Sequence, residues 1–85
     1  MALEGTVNER VKKVVARQLK SDLSKVKDES DFVKDLGAES IQSIELVAAF
    51  EDEFDIEMDE EAALQVKTVG KAIEFIDKAV KEQKR

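Results

Sequence analysis

The sequence predicts an all-α fold: a small four-helix bundle of three longer helices and one short helix, with a long loop between helices one and two. Apolar residues recur every three or four positions in three separate segments, which is the spacing of one buried helix face. The chain has 85 residues, 42% of them hydrophobic, enough for one modest core and too few for two domains. We therefore expect a single domain over residues 1–85, with a flexible N-terminus at 1–5 and a frayed basic C-terminus at 81–85.

Composition narrows the possible chemistry. The chain contains neither cysteine nor histidine, which excludes disulfides, thiolate or imidazole metal ligands and a serine–histidine pair. Residues 1–5 lack the basic segment and apolar run of a secretory signal, and no apolar run is long enough to span a bilayer. We expect a cytoplasmic monomer that does not insert into membranes.

Charge is distributed in three blocks. Residues 1–27 contain seven basic and three acidic side chains, residues 28–64 contain one lysine and fourteen acids, and residues 65–85 contain six basic and three acidic side chains. A charge block is most often only a solvated face. The formal net charge of −6 opposes binding to nucleic-acid phosphates, so the expected counterpart is a basic partner surface.

The first helix is predicted over residues 7–20, because Thr6 and Glu9 match a capping box. Its apolar face consists of Val7, Val11, Val14, Val15 and Leu19. Residues 21–39 show no sustained period, so this long connection needs apolar residues of its own to hold it to the core. The candidate anchors are Leu23, Val26, Phe32, Val33 and Leu36. A short turn is predicted at residues 30–32.

Gly37 and Ser40 mark the start of the second helix, which is predicted over residues 40–54. Glycine adopts positive φ without steric cost and therefore marks a tight turn. Ser40 then falls at or next to the N-cap. Serine is a preferred capping residue because its oxygen accepts a backbone N–H, so the simplest interpretation of Ser40 is a helix cap.

The second helix presents two apolar faces, although a helix in a small bundle needs only one. The face expected in the core consists of Leu46, Val47, Phe50 and Phe54. The second stripe, nearly opposite, consists of Ile41, Ile44 and Ala48. Its acidic neighbours are Glu45, Glu51 and Asp52. An apolar centre with an acidic rim is typical of a docking surface for a basic, partly apolar partner; the alternative is that the long loop covers part of the stripe.

Asp59 is the predicted cap of the short third helix, and Thr68 is the predicted cap of a last helix over residues 69–80. The apolar face of the last helix consists of Val69, Ala72, Ile73, Ile76 and Val80. The acid-rich segment before the third helix is not an EF-hand loop. Glu60 and Val66 stand where such a loop, counted from its first aspartate, needs glycine and glutamate. No dedicated metal site is expected.

Residues 35–47, DLGAESIQSIELV, resemble the signature of acyl carrier proteins, whose usual core reads Asp-Ser-Leu. The likeness extends through ERVKKVVARQL in the first helix, SDFVKDLGA in the loop, VAAFEDEFDIE after the signature and TVGKAIEFI in the last helix. The chain is therefore similar to acyl carrier proteins over nearly its whole length.

The resemblance implies that a phosphopantetheinyl transferase attaches 4'-phosphopantetheine from coenzyme A to Ser40, and that acyl groups ride as thioesters on the thiol of this arm. A phosphodiester at a helix N-terminus meets backbone N–H groups and a favourable dipole. The competing hydroxyl of Ser43 falls on the core-facing side of the helix. The implied function is presentation of acyl intermediates to acyl-transferring and chain-elongating enzymes of fatty-acid or related lipid biosynthesis, with no catalytic residues in the chain itself.

The resemblance also implies two surfaces. The acyl chain would fold into the bundle against a wall of Phe32, Leu46, Val47, Phe50, Met58, Ala63, Val66 and Ala72. Enzymes with basic surfaces would dock on Glu39, Ile41, Ile44, Glu45, Ala48, Glu51 and Asp52. The chain departs from the residues common in the family at Glu39, Ile41, Gln42 and Ala48. These departures lie on the recognition face and point to a specialised carrier.

Two alternatives stay open on the sequence. The chain could carry polyketide or aminoacyl cargo on the same arm. It could instead be an acidic helical docking module without a prosthetic group, in which Ser40 only caps its helix. Attachment of phosphopantetheine distinguishes a carrier from the docking module. The identity of the cargo distinguishes an acyl carrier of lipid biosynthesis from a carrier of polyketide or aminoacyl groups.

Overall fold

The computed structural model describes residues 6–83 and confirms the predicted all-α class. Its four α-helices are α1 (Val7–Leu19), α2 (Ser40–Phe54), α3 (Glu60–Leu64) and α4 (Val69–Gln83). A short 3₁₀ helix, Leu23–Lys25, interrupts the loop between α1 and α2. The expectation of flexibility at residues 1–5 lies outside the described residues. From residue 6 to residue 83, no helix is both long and apolar enough to cross a membrane.

Local hydrogen bonds set three helix starts that the sequence predicts. The Glu9 N–H donates to Thr6 Oγ1 and the Thr6 N–H donates to Glu9 Oε1, both at 3.2 Å, so the capping box is formed. The carboxylate of Asp59 caps α3. At α4 the Lys71 N–H donates to Thr68 Oγ1 at 3.3 Å. These caps are confirmed, and α1 ends within one residue of its predicted end.

The core lies where α1 packs against both α2 and α4, with α3 packed on α2. Its fully buried side chains are Val11, Val14, Val15, Val69 and Ile76. The predicted core face of α2 is confirmed, since Leu46, Val47, Phe50 and Phe54 are all buried. On α4 the buried face is shifted: Ala79 is buried, whereas Ile73 and Val80 are half-buried. Alanine favours a helix wherever it stands, so the sequence does not mark Ala79 as a core residue.

The long loop is tied to the start of α4 by backbone hydrogen bonds. The Phe32 N–H donates to the Lys67 carbonyl at 2.9 Å, and the Gly70 N–H donates to the Asp28 carbonyl at 2.8 Å. Gly70 allows this approach, because a Cβ at that position would lie 3.0 Å from the Asp28 carbonyl oxygen. The loop is therefore fixed against α4 before it reaches α2.

Two of the predicted loop anchors are wrong. Leu23 and Val33 are 46% and 62% exposed. Val26 and Phe32 are buried and Leu36 is half-buried, as predicted. Leu23 begins the 3₁₀ helix, in which the Val26 N–H donates to the Leu23 carbonyl at 3.0 Å and Val26 takes the core position. A helix of three residues is too short to show a period, so the sequence did not predict it.

Helix α4 extends to Gln83, three residues beyond the predicted end at residue 80. The Glu57 N–H donates to Gln83 Oε1 and Gln83 Nε2 donates to the Glu57 carbonyl, each at 2.8 Å. This pair of bonds holds the last turn of α4 against the segment between α2 and α3. Residues 81–83 are therefore helical, and residues 84–85 lie outside the described part of the chain.

Candidate functional site

A tight turn over residues 31–37 leads the chain to α2. Asp31 organises the turn, because its Oδ1 accepts the N–H groups of Val33 and Lys34, both at 2.9 Å. Gly37 closes the turn at a φ of 70°, as the sequence predicts, and its N–H donates to the Val33 carbonyl at 3.1 Å. The turn falls slightly later in the chain than the one predicted at residues 30–32.

Ser40 is the first residue of α2, and its side chain is exposed. The N-cap is Glu39, whose N–H donates to Gln42 Oε1 at 2.9 Å. Two residues before Ser40, Ala38 is buried, and its N–H donates to the Phe32 carbonyl at 2.8 Å. Within residues 6–83 the Ser40 hydroxyl makes no hydrogen bond. Ser40 is therefore next to the N-cap, as predicted, but does not itself cap the helix.

Ser43 is in a different environment one turn later. Its side chain is half-buried, and its Oγ donates to the Glu39 carbonyl at 3.4 Å, a long bond. Ser43 also lines a cavity that is partly open to solvent. The two hydroxyls of α2 are thus distinguished by their contacts: one is exposed and unbonded, and the other is bonded and turned toward the bundle.

The cavity lies among α2, α3, α4 and the loop, and has a volume of about 40 Å³. It is lined by all eight residues that the resemblance implied: Phe32, Leu46, Val47, Phe50, Met58, Ala63, Val66 and Ala72. A volume of this size has room for about three water-sized groups. The structure therefore brings the implied wall together around one small apolar space.

Three further residues line the cavity and were not predicted: Ser43, Leu64 and Phe75. Phe75 lies three residues after Ala72 and four before Ala79, so the three share one flank of α4. Ala72 was part of the predicted face; had Ala79 been included with it, Phe75 would have been expected beside the cavity. Leu64 is 42% exposed, and its position in a five-residue helix offers too few turns to define a face.

The outer surface of α2 carries the predicted docking residues, and the long loop does not cover it. Ile41 and Ile44 are 62% and 45% exposed. The exposed residues around them are Glu39, Glu45, Ala48 and Asp52. An apolar centre with acidic neighbours is therefore present on the side of α2 that faces away from the core.

Glu51 differs from the other predicted docking residues. It is half-buried, and its Oε2 accepts the Met58 N–H at 2.9 Å. Its carboxylate thus holds the segment between α2 and α3 as well as contributing negative charge. Despite the density of acids, no group of three or more metal-ligating side chains within residues 6–83 is arranged to hold an ion.

Two carboxyl groups of the loop have perturbed acidity. The Asp28 pKa is lowered, first by the hydrogen bond to Lys12, whose Nζ lies 2.7 Å from Asp28 Oδ1. The Asp31 pKa is lowered, first by the backbone N–H of Lys34, with a second contribution from the N–H of Val33. Both carboxylates are held ionised by local structure that shapes the loop before Ser40.

The family model described as "phosphopantetheine attachment site" matches residues 9–76, which is most of the chain. Proteins matched by this model are domains that carry a prosthetic group rather than catalysts. The chain belongs to the phosphopantetheine attachment family, as expected of an acyl carrier protein. Domains of this family hold 4'-phosphopantetheine covalently and interact with a phosphopantetheinyl transferase and with partner enzymes.

Proposed function

We propose that the chain is an acyl carrier protein, that its 4'-phosphopantetheine is attached to Ser40, and that it carries acyl intermediates of fatty-acid or related lipid biosynthesis. The observation that supports this most directly is the Ser40 hydroxyl, exposed at the first position of α2 and unbonded within residues 6–83. A hydroxyl that caps its own helix would lose a stabilising hydrogen bond on modification. Ser40 has no such bond to lose.

The surroundings of Ser40 fit a phosphodiester. Because α2 begins at this residue, backbone N–H groups and the positive end of the helix dipole lie at the point of attachment. When bound, the group supplies a thiol for the acyl thioester, which a chain without cysteine cannot supply. The chain's own role is to orient the attachment point on a rigid helix start.

The apolar cavity supports an acyl cargo. It is lined by Ser43, one turn along α2 from Ser40, and one turn is about 5.4 Å of helix length. At about 40 Å³ the cavity has room for only the first few carbons of an acyl chain. Longer cargo requires the wall to move, and Met58 suits this because an unbranched thioether adapts its shape at low cost.

The exposed stripe of α2 supports docking to basic enzymes. Ile41 and Ile44 provide apolar contact area, and Glu45 and Asp52 provide charge that steers encounter. No catalytic step is assigned to the chain itself. Nucleophilic catalysis needs a base within reach of the nucleophile, and no side chain within residues 6–83 bonds to the Ser40 hydroxyl.

Intact mass tests the attachment site. Incubation of the full chain with coenzyme A and a broad-specificity phosphopantetheinyl transferase should add one phosphopantetheinyl group. Ser40→Ala should accept none, because the acceptor oxygen is gone. Ser43→Ala, the matched control, should still accept one group, because Ser43 is bonded to the Glu39 carbonyl and faces the cavity.

Failure to modify the native chain would favour the docking module without prosthetic group. Modification of Ser40→Ala would move the site to another hydroxyl. The cargo is tested separately, by the mass of the acyl species released from the chain isolated from its native host. A fatty acyl group would support a role in lipid biosynthesis. A polyketide or aminoacyl group would overturn the proposed cargo but not the proposed attachment of phosphopantetheine to Ser40.

Charge reversal tests the docking surface. Glu45→Lys should lower the kcat/KM of acyl transfer to a cognate enzyme by about tenfold at low salt, because it replaces attraction to a basic surface with repulsion. The matched control is Glu74→Lys, which makes the same charge change at an exposed site on α4. Equal effects of the two variants would place the interface elsewhere, and thermal unfolding would check that both remain folded.

A further inference from the structure

The basic segment at the start of the chain has no role in the carrier function described above. Residues 10–27 contain seven basic residues and one acid. Arg10 pairs with Glu53 and Lys12 pairs with Asp28. The other five cations are exposed and form no ion pair within residues 6–83. These five, here named the basic face, are Lys13, Arg17, Lys20, Lys25 and Lys27.

The basic face is continuous along α1 and the segment beside it. Lys13, Arg17 and Lys20 follow one another at intervals of four and three residues, so they lie on one side of the helix. The 3₁₀ helix packs against α1 and contributes Lys25. Leu23, 46% exposed, lines an open groove together with Lys13. One partly exposed apolar side chain therefore lies beside the basic face.

We propose that the basic face binds the anionic phospholipid surface of a membrane from one side, with Leu23 entering the headgroup region. Charge complementarity assigns the occupant, since clustered lysines are attracted to acidic headgroups by roughly 1 kcal/mol each. The composition favours lipid over protein: the basic face has four lysines, one arginine and no aromatic residue, whereas protein interface cores are depleted in lysine and enriched in aromatics.

The net charge of −6 does not prevent this contact. Salt screens charges beyond about 8 Å at physiological ionic strength, and the molecule measures 35 × 29 × 19 Å. Acids on elements that face away from the lipid therefore contribute little. From the start of α1 to Lys27, the part of the chain that holds the basic face, the exposed acids are Glu9 and Asp22, which leave its five cations with a local charge of +3. The basic face lies on α1 and the loop, whereas Ser40 begins α2, so lipid binding and prosthetic-group attachment use different elements and can be tested separately.

Vesicle sedimentation tests the proposal with the full, unmodified chain. At physiological ionic strength, where repulsion by the distant acids is screened, the chain should sediment with vesicles of mixed phosphatidylglycerol and phosphatidylcholine. It should be released as salt is raised further, and it should stay in solution with pure phosphatidylcholine. The triple variant Lys13→Glu/Arg17→Glu/Lys20→Glu should lose about 100-fold in partitioning, at about fivefold per basic residue removed.

The control is Lys71→Glu/Lys78→Glu/Lys81→Glu, which makes the same charge change on exposed positions of α4 and should retain binding, although it also removes the exposed ion pair of Lys81 with Asp77. No binding by the native chain, equal loss in both triple variants, or binding to double-stranded DNA or polyglutamate as tight as to the vesicles would overturn the lipid assignment. Circular dichroism would establish that each variant is folded.

A second measurement does not depend on charge reversal. The chain contains no tryptophan, so Leu23→Trp places a single fluorophore in the basic face. Its emission should shift to the blue with anionic vesicles and stay unchanged with neutral ones, because the indole enters the headgroup region. An unchanged emission with anionic vesicles would contradict the entry of residue 23 into the membrane surface.

Discussion

Ser40 and Ser43 show how neighbouring bonds decide which hydroxyl can serve as an attachment point. The start of α2 is secured by Glu39 and Gln42, whose backbone-to-side-chain bond measures 2.9 Å. The Ser43 hydroxyl donates a hydrogen bond to the Glu39 carbonyl. Ser40 is left outside this set of bonds because it lies one residue after the N-cap, the position at which a capping serine is common. The spacing of Glu39 and Gln42 resembles the second half of a capping box, a signal that the sequence contains but that the neighbouring serine obscures.

Asp31 links the acidity of one carboxyl group to the turn before Ser40. Its pKa is lowered from an ordinary value of 3.8 by the N–H groups of Lys34 and Val33. The ionised form therefore stabilises the fold at pH values above 3.8, and this contribution is lost as the pH falls through the lowered folded pKa. Asp31→Asn keeps an acceptor oxygen but does not titrate. It should be less stable than the native chain at pH 7 and show a flatter loss of stability below about pH 4.

Thermal unfolding followed by circular dichroism across the acid range measures this difference. Asp52→Asn is the control, because it removes one exposed negative charge without removing a hydrogen bond of the described structure. The account of the turn would be contradicted if the two variants changed the acid dependence by the same amount.

Helices α1 and α2 are joined at one end by Arg10. Its Nη2 donates to the Glu53 carbonyl at 2.9 Å and its Nε donates to Glu53 Oε2 at 3.1 Å. The guanidinium carbon lies 4.5 Å from the centroid of the Phe54 ring. The contact with a carbonyl in the last turn of α2 also places a cation at the negative end of that helix. Three modest interactions thus converge on one side chain.

Arg10→Lys should lower the free energy of unfolding by about 1 kcal/mol, or about 4–8 °C in Tm. Lysine keeps the charge but lacks the planar guanidinium group, which donates along two directions while its face stacks on a ring. The ion pair alone contributes little, because both side chains are about a third exposed, 32% and 31%. Arg17→Lys, on the exposed side of α1, should change Tm by less than about 2 °C. Equal shifts in the two variants would mean that the contacts of Arg10 contribute nothing specific.

The helix positions were predictable to the extent that their signals are local. The bounds of α2 agree with the prediction at both ends. Both signals used, the turn at Gly37 and the apolar spacing, come from residues in or next to the helix. The end of α4 was missed, because it depends on a bond between Gln83 and Glu57, which are 26 residues apart. The exposure of Leu23 and Val33 was missed because nearby residues of the same loop, Val26 and Phe32, take the core positions. A segment without a sustained period does not show which of its apolar residues will be buried.

In the candidate site too, local features were predicted from the sequence and features that depend on distant contacts were not. Ser40 was singled out from one signature. Its lack of a bonding partner depends on the bond between Glu39 and Gln42, whose spacing is visible in the sequence but whose formation is established by the structure. The resemblance identified eight residues that line the cavity but not Ser43, Leu64 and Phe75. Ser43 was assigned to the core side and is half-buried, yet its place in the cavity wall depends on how α3 and α4 close over α2.

The molecule as a whole is shaped by an unequal distribution of charge. Residues 28–64 contain fourteen acids and one lysine. Of the three ion pairs within residues 6–83, only Arg10 with Glu53 and Lys12 with Asp28 bring a cation from α1 to an acid of this block. Most of its acids therefore face solvent and one another, and compact folding concentrates their repulsion.

Added salt should therefore stabilise the chain. The Debye length falls from about 30 Å at 0.01 M to about 3 Å at 1 M ionic strength, which removes most of the repulsion between exposed acids. We expect Tm to rise by about 5 °C or more over this range, and to rise also with millimolar Mg²⁺, which binds weakly among the acids without a dedicated site. Differential scanning calorimetry of the unmodified chain measures both effects.

The double variant Glu45→Gln/Asp52→Asn separates repulsion from a general effect of salt on hydrophobic burial. It removes two exposed negative charges of α2 and should raise Tm at 0.01 M salt while reducing the further rise on going to 1 M. At high salt the Tm values of the variant and the native chain should converge, because screening by salt then weakens the same repulsion between acids that the substitutions remove. A flat salt response in the native chain, or a variant whose salt response equals that of the native chain, would contradict self-repulsion in residues 28–64.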